Sequence, residues 1–340
     1  MTPELSSGEE HARAFDSAKR VLCCISKDDI PEVEAVIRLL MPSLDSFWQR
    51  LIAESMALIE AELDSFEDEL ATPSIDALSI AASDKRKKLE QDLILALFLI
   101  LDRRIAQPIS DAGTALVQRA VQTLMSDGAK SIGEPLDLTR APLLAQAAVQ
   151  DLLTLIRGRV TIRRPEIEQL LGAFLTTRGP RTPAASGLAG AAQRAAGGGL
   201  QTREGWRAEL AELLGQATAS WLPFVVDQWA YRWFNVGSFT AARQSGAIGL
   251  RAVATKDNRT SAFCLWVNGR VVSIERAQGQ IDRHVAAALA GDVQALMANW
   301  PLLTFRASDG PAEFALAFER VGLPPYHARC RTRVVLVRFR

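Results

Sequence analysis

Apolar residues recur at three- and four-residue steps through most of the first 175 positions. In 44–63, Leu44, Phe47, Trp48, Leu51, Ile52, Met56, Ile59 and Leu63 fall on one side of a 3.6-residue period, the mark of an amphipathic helix. Thr72-Pro73 breaks this pattern, and a new helix can begin at Ser74 or Asp76. The run "LILALFLIL", 93–101, is apolar without alternation. It predicts a helix buried on all sides, and its length is about half of what a bilayer demands. The basic run "DKRKKLEQ" before it reads as a solvated helix face. Pro108, Gly128, Gly133 and Pro135 punctuate further helices expected at 109–126 and 139–157, with Asp137 and Thr139 as candidate caps.

The pattern lapses at 178–203, "RGPRTPAASGLAGAAQRAAGGGLQTR", which has no acid and no sustained apolar face. It reads as a linker or long arm. Helical periodicity returns over 204–246, where Trp221, Val225, Trp229 and Trp233 follow at four-residue steps. An aromatic stripe at that spacing is expected to be core rather than a ligand box. β-structure is expected only near the end. "FCLWV" and "RVVSI" flank Asn268-Gly269 and predict a hairpin. Residues 281–297 predict a helix through Ile281, Val285, Leu289, Val293 and Leu296. "RCRTRVVLVRF" then predicts a strand with Arg329, Arg331 and Arg333 on one side and Cys330, Thr332 and Val334 on the other.

These elements give a predominantly α-helical α+β chain: a helical domain at 1–177, the arm at 178–203, and a small α+β domain with a β-hairpin at 204–340. Within the last, 275–321 is a candidate surface insertion. With 48% hydrophobic and 23% charged residues, the chain can bury a sizeable core. Net charge is zero but unevenly spread. Residues 1–70 carry 16 acids against 6 Lys and Arg, and 155–340 carry 13 acids against 24. That polarity suits docking between unlike surfaces or an approach to phosphate, and ordinary solvated surfaces fit it as well. Four cysteines do not make a disulfide framework, and Cys23 and Cys24 read as small core fillers. No signal peptide is evident, and no membrane association is expected.

Chemistry-bearing residues concentrate at the C-terminal end. Cys264, His327 and Cys330 can converge if the last strand lies beside the hairpin, and Asp257 is close enough in sequence to reach the same place. Three readings stay open there. Two thiols, an imidazole and a carboxylate are chemically admissible ligands for zinc, although no Cys-x2-Cys spacing is present. A Cys–His nucleophilic pair is the second, and thiols packed under a sheet are the third.

The order of features resembles the C-terminal domain of phage head morphogenesis proteins, the Mu F-like minor capsid family. Ser245-Gly246 precede Asp257, Arg259, Thr260 and Cys264; a turn at Gly269 follows; and Pro324, Pro325, His327, Cys330 and Arg331 come much later. The matching segments span about 225–274 and 322–337, about a fifth of the chain. Family members often carry a second cysteine near the first and another two places after the last. This sequence has Ser261 or Ala262, and Thr332, in those neighbourhoods. A four-thiol metal site is therefore incomplete, and no resident cofactor is expected, with zinc at Cys264, His327 and Cys330 as the exception the chemistry admits.

The resemblance implies a minor head protein acting in capsid assembly near the portal, found in the virion head after assembly in the host cytoplasm. Portal or other capsid proteins would be its partners, with packaged double-stranded DNA as a candidate third. For DNA, Arg329, Arg331, Arg333, Arg338 and Arg340 are the candidate phosphate contacts, and pairing of some of them with acids of neighbouring helices is an equal alternative. The competing class is an enzyme or toxin-like effector using Asp257, Cys264 and His327. Against it stand the lack of a phosphate-binding Gly loop after a strand and the lack of H-E-x-x-H.

Overall fold

A computed structural model describes residues 30–71, 111–140, 143–156, 203–257, 260–301, 303–305, 309–327 and 330–338, with single positions at 88, 91–92, 95, 99 and 158. The elements are α1 (Pro31–Ala71), α2 (Asp111–Ser131), a 3-10 turn (Leu138–Arg140), α3 (143–156) and α4 (Arg203–Gln244). There follow β1 (Gly249–Val253), α5 (Ala262–Val267), β2 (Val271–Ser273), α6 (Ile274–Ala290), α7 (Val293–Asn299), α8 (Pro311–Arg320) and β3 (Arg333–Val337). Among the described residues the protein is thus predominantly helical, with a small three-stranded antiparallel sheet in the C-terminal region, as the periodicity predicts. Among the described residues, no helix is long and apolar enough to cross a membrane.

The chain forms two compact units. One comprises residues up to Leu44, Pro108–Gly158 and Ser220 onward; the other comprises Asp45–Gln107 and Arg159–Ala219. The division therefore falls inside α1 and α4, whereas the expected arm at 178–203 lies outside the described residues except for Arg203. Cys23 and Cys24 lie outside them too. Of the apolar run at 93–101, Leu95 and Leu99 are described, and both are about half exposed. The expectation of burial on all sides is corrected: positions four apart share one helix face, and that face meets solvent.

The core of the first unit joins the early helices to the late ones. Val121, Leu124, Leu152 and Ile156 are fully or almost fully buried, as are Trp229, Trp233 and Phe234 of α4. The tryptophan stripe is core, with the Trp229 indole N–H donating to Ala148 O at 2.8 Å. Helices α2 and α4 cross where each lacks a side chain. A Cβ on Gly128 would sit 2.0 Å from Phe234 O, and one on Gly237 would sit 2.2 Å from Met125 O. The Ser238 hydroxyl donates across this crossing to Gly128 O at 2.8 Å.

The sheet order is β2-β1-β3, with Leu250 opposite both Val272 and Leu336, and Ala252 opposite Val334. Alternate residues Leu250 and Ala252, with Val272 and Val334, supply its buried face. The strand expected at "FCLWV" is a helix instead, and this is a correction. The Ser261 hydroxyl caps α5 by accepting from Cys264 N at 3.1 Å, and Phe263, Cys264 and Val267 turn inward together. Phe263 packs on Phe305, Phe314 and Tyr326 at ring-centre distances of 4.5, 5.6 and 5.2 Å. That aromatic cluster and the cap override the β-propensity of the run. Asn268-Gly269 still makes a tight turn, with Gly269 at φ 85° and Arg270 N donating to Val267 O at 2.9 Å. It leads from α5 into β2 rather than between two strands.

The helix expected over 281–297 is two helices, because Gly291 adopts the left-handed conformation at φ 66° and Asp292 caps α7 by accepting from Ala295 N. The segment 275–321 buries Ile281, His284, Leu296, Trp300, Phe314 and Phe318, so it is a contributor to the core and not a surface insertion. Gly237→Ala should therefore force the α2–α4 backbones apart. A cost of about 3 kcal/mol, or failure to fold, is expected in urea denaturation, since the clash is with backbone that cannot rotate away.

Candidate functional site

Two remote segments close on each other at the mouth of α5. The first is the loop from Ala254 to Ser261. Its Thr260 hydroxyl accepts from Asp257 N at 3.0 Å and also contacts Thr255 O, while Asn268 Oδ1 accepts from Ala254 N at 3.0 Å. The second is the turn at His327–Cys330, closed by Cys330 N donating to His327 O at 3.2 Å. Helix α4 braces that turn through Gln228, whose amide donates to His327 O at 3.2 Å.

A two-pronged ion pair ties the segments together. Arg331 Nη1 and Nη2 donate to Asp257 Oδ2 and Oδ1 at 2.6 and 2.7 Å, with the Arg331 side chain 7% and the Asp257 side chain 18% exposed. Beside it, Cys264 Sγ lies 2.9 Å from His327 Nε2 and 3.7 Å from Cys330 Sγ. The Ser261 hydroxyl is 2.9 Å from the same Nε2, and the Thr332 hydroxyl donates to Cys264 Sγ at 3.2 Å. Both cysteines are buried and free of disulfide bonds.

The expected site thus assembles at Asp257, Thr260, Cys264, His327 and Cys330, and it also takes in Arg331, Ser261 and Thr332. The sequence had singled out Ser261 and Thr332 only as departures from the resembled pattern. Arg259 lies outside the described residues. Of the five candidate phosphate contacts, two pair with acids of the chain. Arg331 turns to Asp257, Arg338 pairs with Glu134, Arg333 is exposed, and Arg329 and Arg340 lie outside the described residues.

The two thiols differ in acidity. The Cys330 thiol donates to Cys264, which brings Cys264 down to about 7 against the opposing effect of burial; Ser261, Thr332 and the charge of Arg331 act in the same direction. Burial pushes Cys330 well up, and its bond to Cys264 adds to that. Cys264 is therefore the first to ionise. The cavity at this point is about 10 Å³, lined by Thr255, Thr260, Ser261, Cys264, His327, Arg331 and Thr332. It holds about one water molecule.

Cys264, His327 and Cys330 place three candidate metal ligands within 4.8 Å of one another. Two Zn–S bonds of about 2.3 Å at a tetrahedral angle span about 3.8 Å, close to the observed sulfur separation. The 2.9 Å from Sγ to Nε2 is shorter than the roughly 3.5 Å such a centre requires, so the imidazole would have to draw back. The residues fit three corners of a zinc site, with a hydroxyl or a water as the fourth. Zinc bound there would hold both sulfurs as thiolates and cross-link the two segments.

A second polar cluster was not legible in the sequence. Asp151 of α3, Arg232 and Trp233 of α4, and His284 of α6 are all buried. Arg232 Nη1 bridges both Asp151 oxygens at 3.0 Å, Trp233 Nε1 donates to Asp151 at 2.9 Å, and His284 Nε2 lies 3.1 Å from the same carboxylate. Trp300 packs edge-on against His284, with ring centres 5.2 Å apart. Burial alone would raise the Asp151 pKa, but Arg232 and His284, together with the bonds from His284 and Trp233, hold it well below the usual carboxylate range. Burial lowers His284 beneath its ordinary 6.5, and the Arg232 charge adds to this against the pull of Asp151. A neutral histidine leaves one cation facing one anion. The residues are isolated in sequence and belong to no motif, so only the fold brings them together.

Comparison of the chain with profiles of known protein families, with curated proteins and with solved structures finds no match.

Two outcomes are expected. Asp257→Asn should cost about 3 kcal/mol in urea denaturation, because it leaves the buried Arg331 guanidinium without its counter-charge. Stability should also fall as pH drops from 6.5 towards 4. His284 binds its proton more weakly when folded than when unfolded, so its contribution is complete above 6.5 and is lost below it. Asp151, lowered from 3.8, adds its own loss only beneath that value. His284→Gln should flatten the slope between pH 4 and 6.5, measured as the shift in denaturation midpoint.

Proposed function

We propose that the chain is a minor capsid protein of a phage or prophage, acting in head morphogenesis as a structural and interaction protein. The supporting observation is the closure of the two motif segments: Asp257, Thr260 and Cys264 meet His327, Cys330 and Arg331, with the thiol sulfurs 3.7 Å apart. Residues that the Mu F-like resemblance picks out, about 65 positions apart, share one small site. In this reading the site is a clasp that fixes the end of the chain, and portal or other capsid proteins are the partners. The protein would reside in the virion head after assembly in the host cytoplasm. Duplex DNA is a lesser partner, since Arg331 and Arg338 already pair with acids of the chain.

One observation favours an enzyme instead: a thiol of lowered pKa lies 2.9 Å from an imidazole nitrogen. Two others weigh against it. The cavity holds about one water molecule and has no room for a metabolite-sized substrate, and Asp257, the expected third member, is engaged by Arg331.

The test is to purify head particles from the strain that encodes the chain and identify their proteins by mass spectrometry, with and without the gene. The expected result is the chain in the particles, at fewer copies than the shell protein, and defective heads in its absence. Particles that lack the chain and that assemble and infect normally without it would overturn the proposal. Cys264→Ala should lower stability by about 1–3 kcal/mol and impair assembly, the signature of a clasp. Intact folding and assembly with loss of a turnover would favour the enzyme.

A further inference from the structure

The two sulfurs come from segments 66 residues apart and meet at 3.7 Å, close to van der Waals contact. A closure that needed only packing would be served by any small apolar pair. Here the Cys264 sulfur also faces a cavity that holds about one water, with His327 Nε2 at 2.9 Å. Cys330 is wholly buried and does not itself line that cavity, but its sulfur lies behind that of Cys264, which does. Thr260, Ser261 and His327 on the cavity's lining are half-buried rather than buried, so the cavity reaches the surface on that side.

We propose that Cys264 and Cys330 are a peroxide-sensitive dithiol, with Cys264 the attacking sulfur and Cys330 the resolving one. His327 Nε2 takes the Cys264 proton, and the sulfur attacks one oxygen of hydrogen peroxide. The S–O bond forms as the O–O bond breaks, and the departing hydroxide takes the proton from His327 and leaves as water. Cys330 Sγ then attacks Cys264 Sγ, the S–O bond breaks, and hydroxide leaves with the Cys330 proton as a second water. Two thiols and one peroxide become one disulfide and two waters; sulfur is oxidised and peroxide oxygen reduced. The product locks the loop at 254–261 to the turn before β3 by a covalent bond that a thiol reductant reverses. The inference rests on thiol placement and not on the capsid role, so either can fail without the other.

The experiment treats the full-length reduced chain with stoichiometric hydrogen peroxide, quenches with an alkylating agent and maps the peptides by mass spectrometry, after measuring bound zinc. The expected result is a cross-linked peptide pair containing Cys264 and Cys330, lighter by two hydrogens, formed while the fold is intact and removed by dithiothreitol. Cys330→Ser should stop at a sulfenic acid on Cys264, trapped by dimedone. If that variant does not fold, dimedone present during oxidation of the wild-type chain should capture the same adduct. Three results would overturn the inference: both thiols still alkylated in the folded, peroxide-treated chain; oxidation of Cys264 without a cross-link; or one zinc per chain that keeps both sulfurs from reacting.

Discussion

A guanidinium almost wholly removed from water must be met by a carboxylate held in the right plane, and Arg331 and Asp257 satisfy that demand across 74 residues of chain. The pair cannot form unless the loop after β1 and the approach to β3 are both in place. Once it forms, the neighbouring groups have little freedom. Thr260 is fixed beside Asp257, Ser261 caps α5, and Cys264 in the first turn of that helix points at His327 and Cys330. Burying such a pair does not by itself add stability. It selects one arrangement of the two segments, because any other would leave a charge unpaired in the interior.

The two polar clusters of the first unit work by different means. Around Cys264 the groups are mutually satisfied by hydroxyls, thiols and an imidazole, and the acidity of the two sulfurs is split by the bond between them. Around Asp151 a full ion pair is buried deeper, and Arg232 Nε, His284 Nδ1 and Trp300 Nε1 find no hydrogen-bond partner among the described residues. The second cluster joins α3, α4 and α6 in one core through Asp151, Arg232 and His284. The first joins the segment after β1 to the approach to β3 and holds the two thiols side by side.

Much of this was readable in the residues, for reasons that can be named. Helical periodicity over 44–63 and 204–246 and the core role of Trp229 and Trp233 follow from spacing alone. The meeting of Cys264 with His327 and Cys330 followed from two motifs in a fixed order. The strand expected at "FCLWV" failed because Ser261 and the aromatic partners of Phe263 come from capping and from distant sequence, neither of which a local alternation registers. The break at Gly291-Asp292 is local, but the apolar spacing of 281–297 runs straight through it and masks it. Asp151, Arg232 and His284 had no local signal, since only the packed helices make them neighbours.

Native-state hydrogen exchange tests most directly whether the two segments form one closed unit. The amides of Cys264, Leu265 and Asn268 should open with the same free energy as those of Cys330 and the strand Arg333–Val337, in a single cooperative step. Free exchange of the Ala254–Asn268 amides while that strand stays protected would mean the segments are merely adjacent, and would contradict the account.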